Sequence, residues 1–147
     1  MFKISTGLRN HILATDDLAA GLNGKVIRMY SGPVPATADA ALGAAVLMCT
    51  ISNNGTGTGL TFEPTPAGGI VSKATAEVWL GTLVASGTYS FYRFSALTDT
   101  GEESTTEKRA QGTIGLLNDD LIVGSLTKTA GDEQRIDYYA IGMPASA

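Results

Sequence analysis

The sequence predicts an all-β domain, a β-sandwich or jelly roll of about eight short strands, with a short helical segment in front of it. Short apolar and β-branched runs recur from Lys25 onward. Clusters of Gly, Pro, Asn, Asp and Ser punctuate them at regular intervals. Only the first two dozen residues carry helical spacing. The organisation expected is a helical segment over 1–24 and a β domain over 25–147, in one domain overall.

In the first segment Leu8, Ile12 and Leu13 are spaced for one helix face, with Ser5 or Thr6 available as N-cap. Thr15-Asp16-Asp17 reads as a break and a second cap. Leu18 and Leu22 continue one face, and Asn23-Gly24 suits a left-handed stop. One helix or a broken helical pair is therefore expected.

Val26-Ile27-Arg28-Met29-Tyr30 reads as the first strand, stopped where Pro33 and Pro35 forbid a ladder. The Ala-rich stretch 36–45 is either a loop or a short capped helix. Ala45 to Ile51 is a continuous apolar run, best read as a core strand. Ser52 to Gly59 is a loop or a hairpin tip, and Asn54-Gly55 within it tolerates the positive φ of a tight turn. Leu60–Glu63, Ile70–Lys73, Glu77–Val84 and Gly87–Phe94 read as further strands. The last has aromatics on both of its faces, which implies that both are covered. Arg109–Leu116 carries Gly112 and Gly115, a sign of a bulge or close approach. Leu121–Leu126 and Gln134–Ile141 complete the set. In the final strand Ile136, Tyr138 and Ala140 should share one face, and Arg135, Asp137, Tyr139 and Ile141 the other.

Composition narrows the function. Charged residues make up 16% of the chain, against about 25% in ordinary domains, so apolar surface remains for burial against a partner. A net charge of −4 with scattered Lys and Arg argues against direct nucleic-acid binding. No apolar run approaches the length of a membrane-spanning helix, so no membrane partner is expected. The N-terminus lacks a signal-peptide core, which points to synthesis in cytoplasm.

Catalytic and metal chemistry finds little footing. The single cysteine, Cys49, sits in an apolar run and reads as a small buried hydrophobe. His11 is the only histidine, no Gly-x-Ser-x-Gly elbow accompanies it, and a zinc site needs more His or Cys ligands. The acidic clusters Asp16-Asp17, Asp99 with Glu102-Glu103, and Asp119-Asp120 lack the spacing of a calcium loop and read as solvated turns. The glycine-rich loops match neither a phosphate-binding loop nor a dinucleotide fingerprint. Trp79, Tyr89, Phe91, Tyr92, Tyr138 and Tyr139 suit a sandwich core, with sugar stacking as the alternative. No catalytic residue, metal or cofactor is expected.

The segment Ile4-Ser5-Thr6-Gly7-Leu8-Arg9-Asn10-His11-Ile12-Leu13-Ala14-Thr15 resembles the start of a family of small tailed-bacteriophage virion proteins. The resemblance continues through 27–43, from Ile27-Arg28-Met29-Tyr30 to Ala41-Leu42-Gly43. It returns at Gly87–Arg93, Arg109–Gly115 and Ile136–Tyr139. It implies a structural component of the virion, in first place a capsid cement or decoration protein that bridges capsid subunits. A tail or neck component is the alternative, and a carbohydrate-binding or host-adhesion module a second one. The partners implied are the major capsid protein and further copies of the chain, as a dimer or trimer. The candidate interface comprises Leu8, His11 and Ile12 in the helical segment and Pro33, Val34 and Pro35 in the following loop. Both stretches interrupt the strand pattern while keeping apolar residues.

Overall fold

The computed structural model describes residues 1–143 and 145. The remaining residues of the expected 25–147 domain lie outside that range. The chain opens with a two-residue strand, β1 (Lys3–Ile4), followed by α1 (Thr6–Ala14) and α2 (Leu18–Leu22). Eleven further strands follow among the described residues: β2 (Val26–Ser31), β3 (Val46–Asn53), β4 (Ile70–Ser72), β5 (Trp79–Thr82), β6 (Gly87–Thr88), β7 (Phe91–Ser95), β8 (Ala110–Gly115), β9 (Leu121–Ile122), β10 (Thr127–Lys128), β11 (Glu133–Ile136) and β12 (Ala140–Gly142). The all-β class with an N-terminal helical element stands.

Ser5 caps α1 by accepting from the Leu8 amide at 3.1 Å. Asp17 caps α2 by accepting from the Ala20 amide at 2.7 Å. Gly24 supplies the left-handed residue that follows (φ 81°). The first two dozen residues are nonetheless not a separate helical appendage. Lys3 and Ile4 pair with Gln111 and Ala110 of β8, and Leu8 and Leu22 are fully buried in the core.

The main sheet has eight strands, in the order β1-β8-β7-β2-β3-β5-β11, with β9 beside β8 as its one parallel neighbour. β6 with β10 and β4 with β12 form two small antiparallel pairs. The sheet curls strongly. Trp79 on β5 and Phe94 on β7 are three strands apart, which in a flat sheet is about 14 Å. Their ring centroids lie 6.0 Å apart. Phe62 and Tyr139 complete this aromatic cluster, at 5.7 and 6.0 Å from Phe94.

The register of β2 on β7 places Ile27 opposite Phe94 and Met29 opposite Tyr92. These four point into the curled interior with Ile51, Cys49 and Ala110. The alternate positions, Arg28 opposite Arg93 and Tyr30 opposite Phe91, occupy the outer face of the same strands. Every residue of β7 is buried, as aromatics on both faces implied. The outer face is covered by two loops, 33–45 and 96–109, through contacts described below.

Of the two forms expected for residues 36–45, the loop is the one present. Several other expected elements differ in detail. Leu60–Glu63 makes only isolated bridges, Lys25 to Leu60 and Phe62 to Lys73. The run 134–141 breaks at Asp137-Tyr138 into β11 and β12, which pair with different strands. That break reverses the expected parity: Tyr138 is 74% exposed while Ile136, Tyr139 and Ile141 are buried. A period-2 pattern cannot survive a residue that leaves the pleat. At Asn54-Gly55 both residues have positive φ (54° and 68°), and the tight turn is as expected. Gly112 is a close approach: a Cβ there would meet the Tyr92 ring at 2.7 Å.

Candidate functional site

The six candidate interface residues divide between interior and surface. Leu8 is a correction: it is fully buried and belongs to the core, because the face of α1 that it shares with the sheet is the inward one. His11 is half-buried against α2, where its ring packs over Gly21, and its Nε2 is buried without a hydrogen-bond partner. Ile12 lines an apolar groove of about 520 Å³ with Leu18, Val71, Ile141 and Met143. Pro33 and Val34 are exposed, and Pro35 is half-buried.

The two stretches that hold these residues meet in space. The Thr6 amide and hydroxyl, at the start of α1, donate to the two carboxylate oxygens of Asp39 at 2.8 and 2.6 Å. Lys3 Nζ donates to the Ala36 carbonyl at 2.7 Å. Burial alone would raise the Asp39 carboxyl, but the paired Thr6 bonds hold it below the ordinary carboxylate value.

Beneath the loop lies a polar layer that sequence reasoning missed. Arg109 is 1% exposed. Its Nε and Nη2 donate to the two oxygens of Asp99 at 2.6 and 2.7 Å, a bidentate fork. Arg109 also donates to the carbonyls of Ala38 at 3.3 Å and Glu102 at 2.8 Å, so one guanidinium gathers both covering loops. Gln111 accepts from Arg93 Nη2 at 2.6 Å and donates to the Pro35 carbonyl at 2.9 Å. The Ser5 hydroxyl closes the arrangement: it accepts from the Arg109 amide at 2.8 Å and donates to the Glu107 carbonyl at 2.7 Å while capping α1. Burial works to raise the Asp99 carboxyl, yet Arg109 and the Gly101 amide carry it below its ordinary value. Asp99 is thus no solvated turn residue but half of a buried ion pair, with side-chain exposures of 1% and 2%.

The remaining candidates have structural surroundings. Cys49 is buried, and burial pushes its thiol up to about 12, far from thiolate reactivity. Asp16 and Asp17 turn and cap the start of α2. Asp120 accepts from the Thr113 amide at 2.9 Å. Of the six aromatics considered for stacking, five are buried and Tyr138 alone is exposed. Among the described residues no group of three or more His, Cys, Asp or Glu side chains comes together as a metal site, and no helix is long and apolar enough to cross a membrane.

No family model matches the chain, and neither the curated proteins nor the solved structures yield a match.

Proposed function

We propose that this chain is a structural protein of a bacteriophage virion, a capsid cement or decoration subunit that docks on the major capsid protein and bridges neighbouring subunits. The observation that carries this reading is the state of the 33–45 loop. Its backbone carbonyls are held from below by Arg109, Gln111 and Lys3, and its Asp39 side chain by Thr6, while Pro33 and Val34 turn outward with Val46 of β3 just beyond. A surface held rigid before contact loses little conformational entropy on binding, which suits many modest interfaces repeated by symmetry. The family resemblance of the 27–43 segment falls on this same loop. Further apolar side chains project elsewhere, Leu13 at 83% and Leu117 at 76% exposure, and are candidate contacts for self-association as a dimer or trimer.

The reading assigns no catalysis and no cofactor, and places the protein in the virion after synthesis in the host cytoplasm. Its test is copy number in purified virions, by quantitative mass spectrometry against the major capsid protein. A ratio near unity or a simple fraction of it is expected for a lattice-following subunit. A handful of copies moves the protein to the tail or neck. Absence from the virion overturns the structural reading.

A further inference from the structure

The outer face of the main sheet contains two arginines that no carboxylate neutralises. Arg28 and Arg93 are direct cross-strand partners on β2 and β7. Like charges placed opposite each other in this way destabilise a sheet unless something compensates them. The only side-chain ion pairs among the described residues are Arg109 with Asp99 and Arg135 with Asp137, so both Arg28 and Arg93 stand outside them. Asp99 is committed to Arg109 and the Gly101 amide and forms no ion pair with Arg28 or Arg93.

Arg93 is the more telling of the two. It is 1% exposed, deeper than a cation is ordinarily placed without a partner. Its Nε and Nη2 donate to the Gln111 side-chain oxygen, and its Nη1, on the opposite edge, has no partner at all. Arg28 is half-buried and spends its guanidinium on the Ser95 hydroxyl and the carbonyls of Ala96, Leu97 and Asp99, none of which carries a charge. Both arginines line one cavity of about 310 Å³, together with Asp99, Tyr30, Ser95, Leu42 and Leu47. With Asp99 matched to Arg109, the walls carry two unmatched positive charges. Burial, and after it the nearby Arg109, push the Arg93 guanidinium down to about 10, so it is still charged at neutral pH but electrostatically stressed.

We propose that the cavity between Arg28 and Arg93 is a binding site for a small oxyanion, a phosphate or carboxylate group seated against Arg28 and balancing the buried charge of Arg93 beside it. Guanidinium groups suit this chemistry because their planar donors match the geometry of such oxygens. The one carboxylate in the wall, Asp99, is engaged by Arg109 and the Gly101 amide. The group is delivered either as a free ion or on an acidic side chain, and the two sources differ in geometry and charge.

The test uses the full chain in chloride buffer at fixed ionic strength, titrated separately with inorganic phosphate and with acetate. Two readouts are followed: the thermal midpoint, and the Nε–H resonances of the arginines by NMR. A saturable rise in midpoint is expected, about 5–10 °C at a concentration one hundred times Kd. The Arg93 Nε–H resonance should shift along the same curve. Tighter saturation by phosphate identifies a free tetrahedral ion, and tighter saturation by acetate a side-chain carboxylate; both uphold the site. Arg28→Gln, on a half-buried residue and checked for folding by circular dichroism, should weaken the response at least about tenfold. Arg135→Gln, on an exposed arginine elsewhere, should respond as wild type. No response beyond the chloride control overturns the site. So does an undiminished response in Arg28→Gln or a lost one in Arg135→Gln. The NMR arm uses the unmodified chain, so it decides the matter even if Arg28→Gln fails to fold.

Discussion

The two faces of the β2–β7–β8 sheet are built on opposite principles. The inner face, with Ile27, Met29, Phe94 and Ala110, meets other apolar groups and gains from every contact regardless of direction. The outer face, with Arg28, Arg93, Gln111 and the adjoining Arg109, meets two loops through directed bonds. The inner face is held by volume and tolerates rearrangement of its parts. The outer face is held by matched charges and donors, and every unmatched group there costs the full loss of its hydration. One face makes the domain fold, and the other fixes the shape of the surface that the domain presents.

The sharpest way to break this contrast is to remove one half of the buried ion pair. Arg109→Met should destabilise the protein by about 3–5 kcal/mol, because it leaves Asp99 buried without a partner. Chemical denaturation by urea measures it. Replacing both members, Arg109→Met with Asp99→Leu, should recover much of that loss, since the penalty lies in the orphaned charge. If the double variant is no better than the single one, the backbone carbonyls held by Arg109 matter more than the pair.

The same pair makes a prediction in pH. The Asp99 carboxyl titrates below its ordinary value in the folded protein, and so does Asp39. A depressed carboxylate contributes stability that is fully present above the unfolded value, about 4, and is lost as pH falls through the folded value. Stability should therefore decline in acid below about pH 4. Asp99→Asn should be less stable than wild type at neutral pH and should show a shallower acid decline. Thermal midpoints measured from pH 7 to pH 2 read both effects.

A conservative exchange on each face sharpens the contrast further. Met29→Leu keeps volume and polarity on the inner face and should cost less than about 1.5 kcal/mol. Arg109→Lys keeps the charge but loses the fork on Asp99 and the reach to two loop carbonyls. Each charge-assisted bond lost is worth roughly 1.5–3 kcal/mol, so the lysine variant should be the less stable of the two. Equal midpoints in denaturant would mean that directionality does not matter on the outer face.

This contrast also explains what could be read from the sequence. The strands over 26–31, 46–53 and 91–95 announce themselves by apolar content, and the Asn54-Gly55 turn by its residue types. Such signals are local and repeat at the period of the structure. The outer face leaves no such trace. Asp99 and Arg109 sit ten residues apart in stretches that look like solvated loop, and Thr6 and Asp39 are separated by thirty-three residues. Only the closing of the sheet brings them together. Leu8 failed as an interface residue for a related reason: helical spacing identifies an apolar face but does not say whether that face turns inward or outward. The break at Asp137-Tyr138 was hidden because the flanking residues alternate plausibly in either register.

The smallest expected effect on stability falls at the loop tip, where the function is proposed to lie. Val34 is 43% exposed and contributes little to the core, so Val34→Ser should change stability by no more than about 0.5 kcal/mol. If the loop is the docking surface, the same substitution should weaken binding to purified capsid shells measurably, because a central apolar contact is replaced by a group that prefers water. Loosening the loop from below, by Gln111→Ala, should weaken binding by a different route. It removes the bond to the Pro35 carbonyl and leaves the outward side chains in place but less well held, and it lowers stability as well because the buried Arg93 loses its acceptor. Sedimentation of shells with each variant, set beside its denaturation midpoint, separates the two contributions. A Val34→Ser protein that is as stable as wild type and binds shells equally well would move the docking surface away from this loop, toward the groove lined by Ile12 or the exposed Leu13 and Leu117.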